Sequence, residues 1–151
     1  MSKTRESRLW QWLGKTARVH FREALHLNRV ENSVSRGMPD VEGCLKVDGE
    51  GRQFWIELKC EARPSDPKTK IKPRFEPQQV PWLHKRWRAG GRCFILLQVG
   101  SGHSAGRYLI QGNLTGSLAR GWTEDKLKSL ASCDPKGAAE DIVLAAATSQ
   151  F

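Results

Sequence analysis

The order of elements written into this chain predicts an α/β fold, a central mixed β-sheet with helices packed on it. Three observations carry the expectation. Val41, Gly43, Leu45 and Val47 alternate with polar partners, and Phe54, Ile56, Leu58 and Cys60 do the same, with glycine-bearing turn chemistry between them. That period and that turn describe a β-hairpin. Cys93 to Val99 is instead a nearly continuous apolar run, which reads as a central strand covered on both faces. A helical segment lies between hairpin and buried strand.

Taken in order, Thr4 to Leu13 reads as a first helix, because Leu9, Trp12 and Leu13 fall at i, i+3 and i+4 spacing, and Gly14 is expected to end it. Val30 to Gly37 carries no clear period. Met38 precedes a proline and is biased toward extended geometry. The hairpin strands meet at Asp48-Gly49-Glu50-Gly51. Ala62 to Pro77 reads as a mobile, substrate-contacting loop, with four prolines and the alternating bases Lys68, Lys70, Lys72 and Arg74. Pro77 suits the first turn of a helix that carries Gln79, Trp82, Leu83 and Arg86 and stops at Gly90-Gly91. Gly100 to Gly106 lacks the lysine of a phosphate-binding loop and reads as a hairpin connection to a strand at Arg107 to Gln111. Thr123 has the character of an N-cap, and Pro135 to Ala147 reads as an Ala-rich closing helix. At 151 residues the chain fits one domain, with a core over about residues 4–111 and a C-terminal helical extension over 112–151.

Composition narrows the chemistry. Lys and Arg number 25 against 16 Asp and Glu, a formal charge of +9 that suits a protein meeting a polyanion. The four cysteines, Cys44, Cys60, Cys93 and Cys133, form no CxxC pair and have no histidine at zinc-ligand spacing, so free thiols are expected. His20, His26, His84 and His103 have no serine or cysteine partner at a triad spacing. With no apolar leader and no run of membrane-spanning length, the expectation is a soluble, intracellular protein, nucleoid-associated or phage-encoded.

Hairpin register places the charges. For the apolar residues of both strands to share a face, the numbers of opposing residues must sum to an odd value. A two-residue loop at Gly49-Glu50 then sets Asp40 opposite Lys59 and Glu42 opposite Glu57. Asp40 and Glu57 lie diagonally on one face, with backbones roughly 7–8 Å apart, a gap that a hard cation such as Mg²⁺ or Mn²⁺ can bridge. Lys59 is placed to orient a nucleophile or to stabilise developing negative charge. Taken alone, Glu57-Leu58-Lys59 reads as the solvated face of a strand, since alternating charge on exposed strands is common; Pro39-Asp40 at the entrance of the partner strand reverses that reading.

Pro39-Asp40 followed by Glu57-Leu58-Lys59 resembles the PD-(D/E)XK nuclease superfamily. With Gly37 before the first element, and Gln79 opening a helix ahead of Gly90-Gly91, the chain looks most like the VRR-NUC group and small phage or archaeal Holliday-junction-resolvase-like enzymes. The likeness covers roughly Glu6 to Val99. It implies a restriction-endonuclease-like core and Mg²⁺, with Mn²⁺ substituting. Asp40 and Glu57 would be metal ligands, the Leu58 carbonyl a third oxygen and Lys59 the catalytic lysine. It also implies an acid on the first helix, for which Glu6 is the positional candidate; Glu31, closer in sequence to Asp40, is the preferred catalytic acid, and either of the two would join the metal ligands. Gln79, or its neighbour Gln78, would support the lysine or the attacking water.

The bases Lys68, Lys70, Lys72, Arg74, Lys85, Arg86 and Arg88 are candidates for phosphate contact, and Trp87 for stacking on substrate; Trp82 and either Trp10 or Trp12 read as core. The function expected is a Mg²⁺-dependent endonuclease that hydrolyses DNA phosphodiesters, selective for branched DNA and acting as a homodimer. The rivals are a nuclease acting on flaps, ends or single strands, and a non-catalytic nucleic-acid-binding protein on a degenerate nuclease fold.

Overall fold

A computed structural model describes residues 2–31 and 36–149. The first helix, α1 (Ser2–Phe21), runs well past Gly14. Leu9, Leu13 and Ala17 recur at four-residue steps and are all buried, so the apolar stripe continues through the glycine. A glycine costs a helix interior about 1 kcal/mol, less than the roughly 1.5–3 kcal/mol from burying one leucine. Trp12 lies at the margin of this stripe, half-buried, with the Arg107 guanidinium 3.9 Å from its ring.

The chain then forms β1 (Leu25–Arg29), a strand the sequence reading did not anticipate. Buried Leu25 and Leu27 alternate there with exposed His26 and Asn28, over too few residues to announce themselves. Next come β2 (Val41–Val47) and β3 (Glu50–Glu61), then α2 (Gln79–Arg88), β4 (Arg92–Val99) and β5 (Gly106–Gln111). The sheet order is β1-β2-β3-β4-β5. Only β3 and β4 pair in parallel, and α2 makes the crossover between them. This is the mixed sheet flanked by helices that the sequence predicts.

Each face has its own core. Phe54, Ile56, Leu58 and Cys60 of β3, with Phe94 and Leu96 of β4, pack under α1 and α5 (Ala139–Thr148). The closing helix supplies five buried residues, Ala139, Ile142, Val143, Ala146 and Ala147, so the C-terminal segment completes this layer. On the opposite face, Trp55, Cys93, Ile95, Leu97 and Val99 pack with Leu83 of α2, Leu118 of α3 (Thr115–Ala119) and Leu127 of α4 (Glu124–Leu130). Thr123 does cap α4, its side chain accepting from the Lys126 N–H. Cys60 and Cys93 are buried, and all four thiols are free.

The segment between β3 and α2 is a strap tied at several points, where mobility was expected. Ile71 and Trp122 exchange both backbone hydrogen bonds, at 2.7 and 3.0 Å. Arg63 forks onto both carboxylate oxygens of Glu124, at 2.8 and 2.9 Å, and Ile71 and Pro73 are buried.

Candidate active site

The hairpin turns at Asp48 and Gly49, both left-handed, with φ of 51° and 82°. Two consecutive positive φ values define a type I′ turn, which the Asp-Gly pair suits. The expected loop at Gly49-Glu50 is therefore displaced by one position, and Val47 pairs with Glu50. Parity survives, so the apolar faces are as expected, but the partners change. Glu42 stands opposite Trp55, away from Glu57, and its carboxylate accepts from the Gln53 amide at 3.2 Å. The predicted Glu42–Glu57 juxtaposition does not occur. Continued past its last pair, Val41 with Ile56, the register sets Asp40 across from Glu57, where Lys59 was expected.

Asp40 is fixed by its own backbone and by β3. Its carbonyl accepts from the Val30 N–H at 2.7 Å, and its Oδ2 accepts from the Leu58 N–H at 3.0 Å. Gly37 explains its place ahead of this corner. Its φ is +93°, and a Cβ there would stand 2.5 Å from the Gln78 carbonyl oxygen at the start of α2.

Glu57 is 2% exposed in the middle of β3. Its Oε2 accepts from Lys59 Nζ at 3.2 Å and from Gln79 Nε2 at 2.8 Å. Gln79 turns its Oε1 to the same lysine at 3.2 Å and to the Glu76 N–H at 2.8 Å. Glu57, Lys59 and Gln79 thus form a closed ring of contacts, while Gln78 is exposed at the helix cap. The Phe75 ring lies 4.8 Å from Lys59 Nζ. Burial and the nearby Asp40 push the Glu57 carboxyl up to about 8, against the opposing pull of Lys59. Its second oxygen, Oε1, is buried without a hydrogen-bond partner.

These groups line a cavity of about 400 Å³, with Glu6, Glu61, Arg74 and Glu76 on its walls. Glu6 reaches it from α1, and burial raises its pKa. Glu31 is exposed and does not line it. Glu61 was not among the expected site residues, although Glu57, Lys59 and Glu61 share one strand face; burial raises its pKa too. Glu76 and Phe75 were invisible because the strap folds back to deliver them.

The remaining candidates divide. Lys68, Lys70, Lys72, Arg74, Lys85 and Arg88 are exposed. Arg86 is instead stacked on Trp82 and Trp55, 4.6 and 5.7 Å from their rings. Trp87 is half-buried, packed edge-on to Phe94 and against both cores, a poor surface for base stacking. Among the described residues no three His, Cys, Asp or Glu side chains are grouped to hold a metal. The donors that fit a hard cation are two carboxylates, Asp40 and Glu57, with the orphaned Glu57 Oε1 as the structural sign.

No protein-family model matches the chain, and no curated protein matches it. Among solved structures it is similar to a VRR_NUC domain at 19% identity, over 76% of this chain and 94% of that one, with a TM-score of 0.39. It is also similar to Hjc, a Holliday junction resolvase from the archaeal hyperthermophile Archaeoglobus fulgidus. There the identity is 13%, over 82% of this chain and 98% of that one, with a TM-score of 0.45. Among the described residues no helix is long and apolar enough to cross a membrane.

Proposed function

We propose that this chain is a metal-dependent endonuclease that hydrolyses DNA phosphodiesters, with branched DNA as its substrate. The observation that supports it best is Glu57: a buried carboxylate with one oxygen tied to Lys59 and Gln79 and the other without a partner, facing a cavity shared with Asp40. Burial and the neighbouring Asp40 push the Glu57 carboxyl toward its neutral form, and titratable groups displaced in this way cluster where function requires them. Asp40 and Glu57 would hold Mg²⁺ or Mn²⁺, with the Leu58 carbonyl as a further oxygen. The bound ion would lower the pKa of a water and polarise the phosphate.

The chain's own residues do the rest. Gln79 holds the Lys59 ammonium and the Glu57 carboxylate in one geometry, so that the ammonium faces the place where phosphate charge develops. Arg74 brings a second positive charge to the cavity wall. Glu6 is better placed than Glu31 to complete the site. A two-fold dimer would present two such sites to two strands of a branch.

The test is cleavage of four-way junctions, flaps and linear duplex at matched salt, with Mg²⁺, Mn²⁺ or chelator, beside Glu57→Ala. The proposal expects cleavage only with the metals, abolished in the variant while binding persists. Cleavage that survives chelator or the substitution would overturn it, and a preference for linear duplex would overturn the branched substrate. The rival of a different class is a DNA-binding protein on a degenerate nuclease fold, with Asp40 and Glu57 serving only structure. That rival expects no response to Mg²⁺ at all.

A further inference from the structure

Lys59 is held on three sides, and one of its partners is of a different kind from the other two. Its ammonium carries three N–H donors. Glu57 Oε2 and Gln79 Oε1 each accept from it at 3.2 Å. The third neighbour is the Phe75 ring, whose centroid lies 4.8 Å from Nζ, within the reach of a cation–π attraction. The side chain of Lys59 is only 12% exposed, so water does little to screen that attraction.

The two kinds of partner differ in what they leave free. An acceptor oxygen occupies a donor, whereas an aromatic face attracts the whole positive charge and occupies none. Under the proposed function Glu57 is also a metal ligand, and the Lys59 ammonium faces the developing phosphate charge. A lysine held by protein oxygens alone would have to leave its holders in order to serve a substrate. The ring keeps the head group in place while its donors turn from those oxygens to a phosphate oxygen or a water.

The place of Phe75 is itself built by the strap. Its ring packs against the core of Trp55, Ile95 and Leu97, on the face of the sheet that carries Glu57 and Lys59. Behind it, Pro73 is buried and Ile71 exchanges two backbone hydrogen bonds with Trp122. Ahead of it, the Glu76 N–H donates at 2.8 Å to Gln79 Oε1, the same oxygen that accepts from Lys59. The strap thus sets both a ring and an amide against one lysine, from an anchor beyond β5.

We infer that Phe75 is the positioning residue for Lys59: its ring holds the ammonium at the cavity wall while the donors serve the reacting phosphate. The inference rests on the nuclease reading for the reaction; the hold of the ring on the lysine does not. It also gives the segment after β5 a share in the site, since Trp122 anchors the strap that carries the ring.

The test puts pentafluorophenylalanine at position 75, which keeps the shape of the ring and withdraws electron density from its face. Junction, flap and linear duplex are each tried with Mg²⁺, and single-turnover cleavage is followed on the one cut fastest. The rate constant should fall about tenfold, while affinity for the same DNA in chelator stays unchanged. A trifluorinated ring should give an intermediate rate, and Phe75→Tyr, whose ring is electron-rich, should stay within about twofold of wild type. Phe75→Leu should lose at least as much as the pentafluoro ring. A role in packing alone makes the fluorinated ring as fast as the native one and only leucine slow; that result overturns the inference, as does a loss carried by affinity rather than by rate.

A second measurement needs no cleavage. Denaturant unfolding in chelator compares the pentafluoro and native rings with Lys59 present and with Lys59→Met, which cancels the more apolar character of the fluorinated ring. Relative to the methionine background, fluorination beside Lys59 should raise the unfolding equilibrium constant about tenfold. Equal effects in the two backgrounds overturn the hold. A protein that shows this coupling but cleaves no DNA with Mg²⁺ or Mn²⁺ keeps the hold and loses the nuclease reading; cleavage without the coupling does the reverse.

Discussion

Replacing Glu57 by Gln should stabilise the metal-free protein, and more so as pH rises. The carboxyl sits at about 8 in the folded chain and at its ordinary value near 4.5 when unfolded, because burial and Asp40 disfavour its charged form. Between those values the folded state holds a proton that the unfolded state has lost, so stability falls as pH rises through the interval. Each unit is worth about 1.4 kcal/mol, and by pH 8 the accumulated loss is on the order of 4 kcal/mol. Glutamine keeps the shape and can accept from Gln79 and Lys59, but it does not titrate. Near pH 5, where Glu57 is protonated in the folded state, wild type and variant should melt close together. At pH 8 the variant should melt on the order of 10 °C higher, at about 2–4 °C per kcal/mol for a chain of this size. Thermal melts in chelator across that range, read as the difference between the two proteins, cancel the titration of every other group. Parallel melting curves at all pH values would refute the reasoning, since Glu57 would then ionise as freely folded as unfolded. Added Mg²⁺ should raise the wild-type melting temperature most at high pH and leave the variant nearly unmoved.

Three further outcomes are expected. Asp40→Asn and Asp40→Ala should both abolish cleavage, but the alanine leaves the Leu58 N–H without its acceptor and should cost about 1–3 kcal/mol in denaturant unfolding, a cost the asparagine largely avoids. Gly37→Ala forces a side chain into a left-handed position 2.5 Å from the Gln78 carbonyl oxygen; strain of about 1–3 kcal/mol or more should appear as a lower melting temperature. Arg63→Ala removes the fork onto Glu124, leaving that carboxylate with Tyr108 alone. Tryptic cutting after Lys68 or Lys70 should quicken about fivefold if the strap loses about 1 kcal/mol of local stability, and an unchanged rate would show the strap held by Ile71 and Trp122 alone.

What the sequence disclosed and what it concealed follow from the range of the interactions involved. Strand faces depend only on local alternation, so Glu57, Lys59 and their apolar neighbours were legible, as was the doubly buried β4. Register depends on which two residues form the turn, and Asp48-Gly49 and Gly49-Glu50 both satisfy the composition rule; only the backbone torsions decide. The length of α1 was hidden because a lone glycine reads as a stop, although the stripe through Leu13 and Ala17 continues. Gln79 was found through its place at a helix start, but its bridge between Glu57 and Lys59 is a tertiary fact. The anchoring of the strap was the least legible feature. Four prolines and a run of bases suggest freedom, and the partners that remove it, Trp122 and Glu124, lie some fifty residues further on.

Pro39 shows how the acidic corner arises from backbone bookkeeping. Even-numbered residues of β3 direct their N–H and C=O groups toward β2, as the Leu58 N–H bonded to Asp40 demonstrates. Had the ladder run on, the pair after Val41 and Ile56 would join residue 39 to Leu58, each supplying an N–H to the other's carbonyl. Proline has no N–H to give, so the pairing stops at Val41. The Leu58 N–H then turns to the Asp40 carboxylate, which fixes that side chain against β3 across from Glu57. The Leu58 carbonyl is denied a strand donor at residue 39 and points along the same edge. Under the proposed function, one missing N–H accounts for two of the three oxygens of the metal site.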